Sequence, residues 1–339
     1  MTDSTLDEAL QRLRDTGPER DGWLSNHAPM AVEALAHNGH GEEIDRWIDA
    51  YRDRLEEAPR GITPIPRQEW RDPLGDPTRT GDWIAFFARE TRETPWRHVL
   101  ATWWPRLLPG IAAGATHGVI RVGHAVRALL DEETTPRVDE LGQGLAYWAS
   151  RWQPLAAAGR GPYRSSDPRS ALDAVPRVPD QRFGIRNRLA QLADLPGWPE
   201  AAGRVPGEGE VQHRLRAIVT AAVLRHGEYG YANALMLVHS ATAPAAVLRT
   251  LPALPSSMAE PSLEAAWAAS AAVIAAYSPS EPRACRTEAT GPEETIARAA
   301  ESGDPHAIKF ADAAVEMWRA GPDPRLLAVA DQATGAIAR

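Results

Sequence analysis

Apolar residues recur at three- and four-residue spacings along nearly the whole chain, and no run of alternating β-branched residues interrupts them. That period puts one apolar stripe on each of a series of helices and predicts an all-α fold. Thr5 to Arg14, Glu42 to Leu55, Trp83 to Arg92, Pro95 to Leu108, Ile111 to Leu130 and Leu141 to Trp152 read as helices in the first half. Gln212 to His226, Tyr231 to Arg249, Ser262 to Tyr277, Glu293 to Glu301, His306 to Arg319 and Arg325 to Ala338 continue the series. Another helix runs through Val32, Leu35 and Ala36, with Ser25 or Asn26 as its N-cap and Pro29 in its first turn.

Residues 153–210 break the pattern with eight prolines, at 154, 162, 168, 176, 179, 196, 199 and 206, among many Gly, Arg and Asp. Proline at that density ends helices. An irregular excursion is expected there, with a short helix near Asn187 to Leu192, serving either as a lid over a site or as a surface loop. The remainder is expected to form one large helical domain, 1–339, into which 153–210 is inserted.

Composition removes several function classes. Acidic residues outnumber basic ones by 45 to 37, for a net charge of -8, whereas a nucleic-acid binder needs a basic face to displace counterions from phosphates. A single cysteine, Cys285, excludes a disulfide framework and any Cys-rich metal site. The segment Met1 to Glu8 is polar and acidic, unlike a signal peptide, and no stretch of about 18 residues is free of charge, His and Pro. The expectation is a soluble cytoplasmic protein with neither a nucleic-acid nor a membrane partner. Dinucleotide, P-loop, HExxH and GxSxG signatures are all absent, so any catalysis would fall to the ten histidines.

His117 and His124 stand seven residues apart on a predicted helix, about two turns, which sets both on one face with Cα atoms about 10.5 Å apart. Gly114, Ala115, Gly118, Gly123 and Ala125 leave space beside them. The pair fits two ligands of one ion, or two buried histidines bonded to neighbouring carbonyls. His27 and His239 sit in apolar helical contexts that suit satisfied core histidines equally well. His37 and His40 lie where a helix C-terminus favours positive charge. His98, His213 and His226 adjoin arginines and read as surface or helix-end residues.

Lys309 is the one lysine among 37 basic residues. In GDPHAIKFADAAVEMW, Asp304 can cap a helix with Pro305 in its first turn, and His306 and Lys309 then share a face. Lys309 is either an exposed lysine paired with Asp312 or Glu301, or a buried amine beside a metal. Tryptophan, 12 residues against 4 phenylalanines, suits flat aromatic ligands as well as core packing.

LSNHAPMAVEAL, GATHGVIRVGHAVRAL and DPHAIKFADAA, extended by ELGQGLAYWASRW and LVHSAT, together resemble the questin oxidase family from about Leu24 to Met317. That family includes ring-opening oxygenases of fungal aromatic polyketide pathways and bacterial relatives. The resemblance implies a helical fold around a buried non-haem iron held by four histidines and a carboxylated lysine. Carried onto this chain, it implies His27, His117, His124 and Lys309 as ligands. The fourth histidine is His239, with His306 as its substitute or as a neighbour of the ligand set. It further implies Fe(II), dioxygen and, as in Baeyer–Villiger-type members, NADPH. The substrate would be an aromatic small molecule, with Trp103, Trp104, Tyr147, Trp148 and Trp152 as candidate pocket residues. Two other classes remain open: a zinc hydrolase built on a carbamylated lysine, and a non-catalytic helical small-molecule-binding protein.

Overall fold

The computed structural model describes residues 2–156, 167–285 and 288–338. Helix dominates, and the paired strands among the described residues form one two-stranded antiparallel ribbon, β1 (Glu19–Arg20) and β2 (Leu24–Ser25), with Glu19 opposite Ser25. The chain divides into two compact units. Residues 1–154 and 249–258 form the first, and residues 155–248 and 259–339 the second. The expectation of one all-α architecture therefore takes the form of two helical bodies.

The first unit holds α1 (Thr2–Leu13), α2 (Ala28–His37), α3 (Ile44–Arg52), α4 (Thr80–Glu93), α5 (Trp96–Leu107), α6 (His117–Asp131) and α7 (Thr135–Ser150). Its core is aromatic. Trp83, Phe86 and Phe87 of α4 surround Trp103 of α5, mostly edge-on, with ring centroids 4.8–5.7 Å from it. Removing one such buried ring costs about 3–5 kcal/mol. Helix α6 lies close against α7 because both offer glycines. A Cβ on Gly118 would fall 2.8 Å from Trp148, and one on Gly144 would fall 3.3 Å from Val122. The small residues expected to leave space beside the histidines are thus partly consumed by helix packing.

Helix α6 starts at His117, six residues later than its periodicity suggests. Gly114, Ala115 and Thr116 take left-handed φ values of 53°, 57° and 68°, which no α-helix can contain. Gly114 is required there for a second reason: a Cβ would meet the Tyr147 hydroxyl at 2.4 Å.

The second unit holds α8 (Pro168–Asp173), α9 (Ile185–Ala190), α10 (Trp198–Gly203), α11 (Val211–Tyr229) and α12 (Ala234–Leu237). It continues with α13 (His239–Thr250), α14 (Ala259–Tyr277), α15 (Pro292–Ser302), α16 (Pro305–Ala320) and α17 (Pro324–Ile337). The Tyr231 to Arg249 helix of the sequence reading is broken at Val238. Pro244 in α13 has no N–H for the Ser240 carbonyl, and Ser270 of α14 donates its hydroxyl to that oxygen instead, at 2.7 Å. By length and composition Ala234–Ala253 could cross a membrane, yet 78% of its apolar 18-residue window is buried, as expected of a core helix.

The proline-rich stretch is less irregular than its composition suggests, although residues 157–166 lie outside the described residues. The short helix expected near Asn187 appears as α9, and α8 and α10 accompany it. Proline opens a helix as readily as it ends one, because its fixed φ suits the first turn. Pro168 and Pro199 stand in such turns, and Asp167 caps α8 by accepting from the Ser170 N–H at 2.8 Å. Leu172, Val178, Leu192 and Trp198 are buried. The Val178 N–H donates to the Ala275 carbonyl and the Trp267 indole to the Ala201 carbonyl, both at 2.9 Å, which fastens the stretch to α14.

Candidate metal centre

His27 immediately precedes α2, where the Asn26 side chain accepts from the Ala28 N–H at 2.9 Å. His117 is the first residue of α6. Their imidazoles stack, with centroids 4.5 Å apart and planes 17° from parallel. Two loops hold this pair. Ser25, two residues before His27, shares a 2.6 Å hydrogen bond with the Tyr147 hydroxyl, and the same hydroxyl lies under Gly114, three residues before His117. The left-handed turn turns the Gly114 carbonyl toward the His117 ring, where it accepts from Nδ1 at 2.6 Å. A carbonyl accepts only, so Nδ1 carries the proton and Nε2 keeps a lone pair. Such backbone costs about 1–3 kcal/mol per non-glycine residue and concentrates at functional sites.

In the second unit the break at Val238 makes His239 the first residue of α13, and its Nδ1 donates to the Met236 carbonyl at 3.0 Å. His306 follows Pro305 at the start of α16, with its Nδ1 3.2 Å from the Asp304 carboxylate that caps the helix. The two rings meet edge to face, with centroids 5.6 Å apart. His117, His239 and His306 therefore share one arrangement: each engages Nδ1 with an oxygen close by in sequence. This is how metal-bound histidines are usually oriented. Burial holds the His239 imidazole well below its ordinary 6.5 and so neutral, and any positive charge on His306 or Lys309 acts in the same direction.

Lys309 is 1% exposed, and its Nζ makes no hydrogen bond to any described residue. The exposed, ion-paired alternative is thereby overturned, because α16 turns this face into the core. An unpartnered ammonium is costly in such surroundings. Burial drives the amine from its ordinary 10.5 down to about 7 against the weak opposing pull of Asp304. At neutral pH a large share of it is uncharged.

His124 has a different environment from His117, although both stand on α6. Its Nδ1 lies 2.5 Å from the Glu33 carboxylate, and its Nε2 accepts from Arg249 at 3.2 Å. Arg127 binds Glu33 through two hydrogen bonds, of 2.8 and 2.6 Å. Burial lowers the imidazole to about 4 despite Glu33. For Glu33, Arg127 and His124 outweigh burial and hold the carboxyl at about 2. Both nitrogens of this histidine are occupied, which leaves no lone pair for an ion.

Glu33, Arg127 and Arg249 carry no sequence signal, because their partners are remote in the chain. His226 is likewise buried instead of at the surface. Its Nε2 donates to the Ala234 carbonyl at 2.9 Å, its ring lies 4.6 Å from that of Phe310, and burial lowers it to about 4. Trp103, Trp104, Tyr147 and Trp148 are at most 1% exposed, while Trp152 is half-buried against Gly110. The four buried rings are core material of the first unit. Two clefts, of about 580 Å³ beside Leu10 and Ile84 and about 450 Å³ beside Ala221 and Val329, are lined by none of these aromatics and by no histidine.

The described residues define an all-α protein with several buried histidines. The family model of questin oxidase-like proteins matches residues 24–132, from β2 through the end of α6. The match includes His27, His117 and His124, and the name of the matched family points in general terms to an oxygenase. No curated protein matches the chain.

Proposed function

We propose that the protein is a non-haem iron-dependent oxygenase that inserts oxygen into, and cleaves, a ring of a polycyclic aromatic or quinone-type small molecule. The proposed ligands are carried over from the family resemblance: His27, His117, His239 and a carboxylated Lys309, together with His306. His306 replaces His124, whose two nitrogens are already engaged. The observation that carries this reading is the buried Lys309 amine, which has no hydrogen-bond partner among the described residues and stands one turn from His306, whose Nδ1 lies 3.2 Å from the capping Asp304 carboxylate. Neutral imidazoles with one anionic oxygen donor suit a divalent first-row metal.

Iron(II) would supply the means of reacting dioxygen with an organic ring, and insertion of a single oxygen atom would also consume two electrons, from NADPH in this reading. The chain's own residues prepare the donors. Gly114, Met236 and Asp304 hold the Nδ1 proton of their histidines, which fixes each tautomer before any ion arrives. Burial of Lys309 leaves a large share of its amine uncharged at neutral pH, and an uncharged amine can add carbon dioxide to become an anionic carbamate, releasing a proton.

Metal analysis of anaerobically purified protein tests the proposal. About one iron per chain is expected, reduced to background in Lys309→Arg, because a guanidinium stays protonated and forms no such adduct. Two zinc ions per chain would instead favour the hydrolase, and a metal-free protein the binding role.

A further inference from the structure

The turn before His117 contains a group that neither the helix nor the core uses. Thr116 is 1% exposed, and its hydroxyl makes no hydrogen bond to any described residue. A threonine that begins a helix ordinarily accepts from an N–H two or three residues on. Thr116 instead takes φ 68° and ψ 0°, and its side chain caps nothing. A β-branched residue is rare in that conformation, which glycine or asparagine would adopt with less strain. Threonine therefore occupies this position against both backbone preference and polar satisfaction. The turn is not slack, since Tyr147 supports Gly114 and, through Ser25, the segment leading to His27.

We propose that the Thr116 hydroxyl hydrogen-bonds the small exchangeable ligand bound beside His117, where water or dioxygen would sit and where a small anion such as azide would replace them. This rests on the metal reading above and adds a residue to it. A buried, fixed hydroxyl adjacent in sequence to a metal-ligating histidine needs no reorganisation to meet such a ligand.

Cobalt(II)-loaded protein titrated with azide, followed by its visible spectrum, tests the inference. Thr116→Val keeps the shape and the β-branch and removes the hydroxyl. It is expected to take up cobalt normally and to bind azide roughly ten- to a hundredfold more weakly, the effect of one lost hydrogen bond to a charged group. Thr116→Ser should stay within about twofold of wild type, because its donor is retained. The metal-free Thr116→Val protein should melt at or above the wild-type temperature, whereas a hydroxyl needed by the fold would make it melt lower. Thr116→Ala provides a second hydroxyl-free variant should the valine crowd the turn. Wild-type azide affinity in both hydroxyl-free variants would overturn the inference and leave the metal reading standing. Wild-type protein that takes up neither cobalt nor iron would overturn both.

Discussion

Two buried ionisable clusters in this protein are built on opposite principles. Around Glu33, each carboxylate oxygen and each nitrogen of His124 meets a polar partner, and Arg127 closes a bidentate pair. Around Lys309, two imidazoles are oriented by their own local oxygens, and the amine meets no hydrogen-bond partner among the described residues. A network closed within the protein holds helices in register and has no valence left for a ligand. An amine buried without a partner is a standing cost, offset only when something else binds it. The contrast separates a structural histidine from a candidate ligand where residue type alone does not.

The largest effect should come from opening the closed cluster. Glu33→Ala strands Arg127 in the core and removes the acceptor of His124, which should lower stability by about 3–5 kcal/mol in urea denaturation. A loss below about 1 kcal/mol would mean that water reaches these groups and that the two clusters differ less than their geometry indicates.

The opposite sign is expected at Lys309. In chelator-treated protein at pH 7, Lys309→Met removes an unpartnered polar group at similar volume and should raise stability by about 1–3 kcal/mol. Metal uptake should be lost in the same variant. Lower stability in Lys309→Met would show that the amine has a partner in solution.

Acidity sharpens the comparison further. Lys309 is lowered from 10.5 to about 7, so between those values the unfolded chain binds the proton that the folded chain releases. Stability of the metal-free protein should therefore rise with pH from about 7 toward 10.5, and Lys309→Met should abolish that rise. His124 and His226, lowered from 6.5 to about 4, make stability fall as pH drops through that window. Glu33, lowered from 4.5 to about 2, adds a further loss below pH 4.5. Melting temperatures across pH for the wild type and Lys309→Met separate these contributions, and a rise surviving in the variant would remove Lys309 as its source.

The smallest effect belongs to the support beneath the first histidine pair. Tyr147→Phe loses the bond to Ser25 but keeps the ring under Gly114, and should cost about 0.5–1.5 kcal/mol. Its metal affinity should fall further than this change in stability alone explains. Unchanged affinity would show that the His27–His117 stack holds without the tie.

Much of this molecule was legible in one dimension because helices are local. Apolar spacing located most of them, and Asp304–Pro305 marked the start of α16 through a cap that needs only adjacent residues. The seven-residue spacing of His117 and His124 marked a helix correctly but could not show the different partners of the two rings, because Glu33 lies 91 positions from His124 and Arg249 lies 125. The late start of α6 was hidden for a related reason. Gly114 permits a left-handed turn, but the contact with Tyr147 makes it necessary, and nothing local disfavours a helix through Ala115 and Thr116.

The sequence by itself determined that the chain is helical, where most helices begin and end, and that a single lysine stands one turn from a histidine. Backbone hydrogen bonds and caps span at most a few residues, so adjacent side chains suffice to specify them. Tertiary structure alone decided which histidine has a buried carboxylate and a guanidinium as partners, which tryptophans became core, and whether Lys309 is exposed or buried. Burial and polar satisfaction are sums over neighbours from distant parts of the chain, and no window of sequence contains those neighbours.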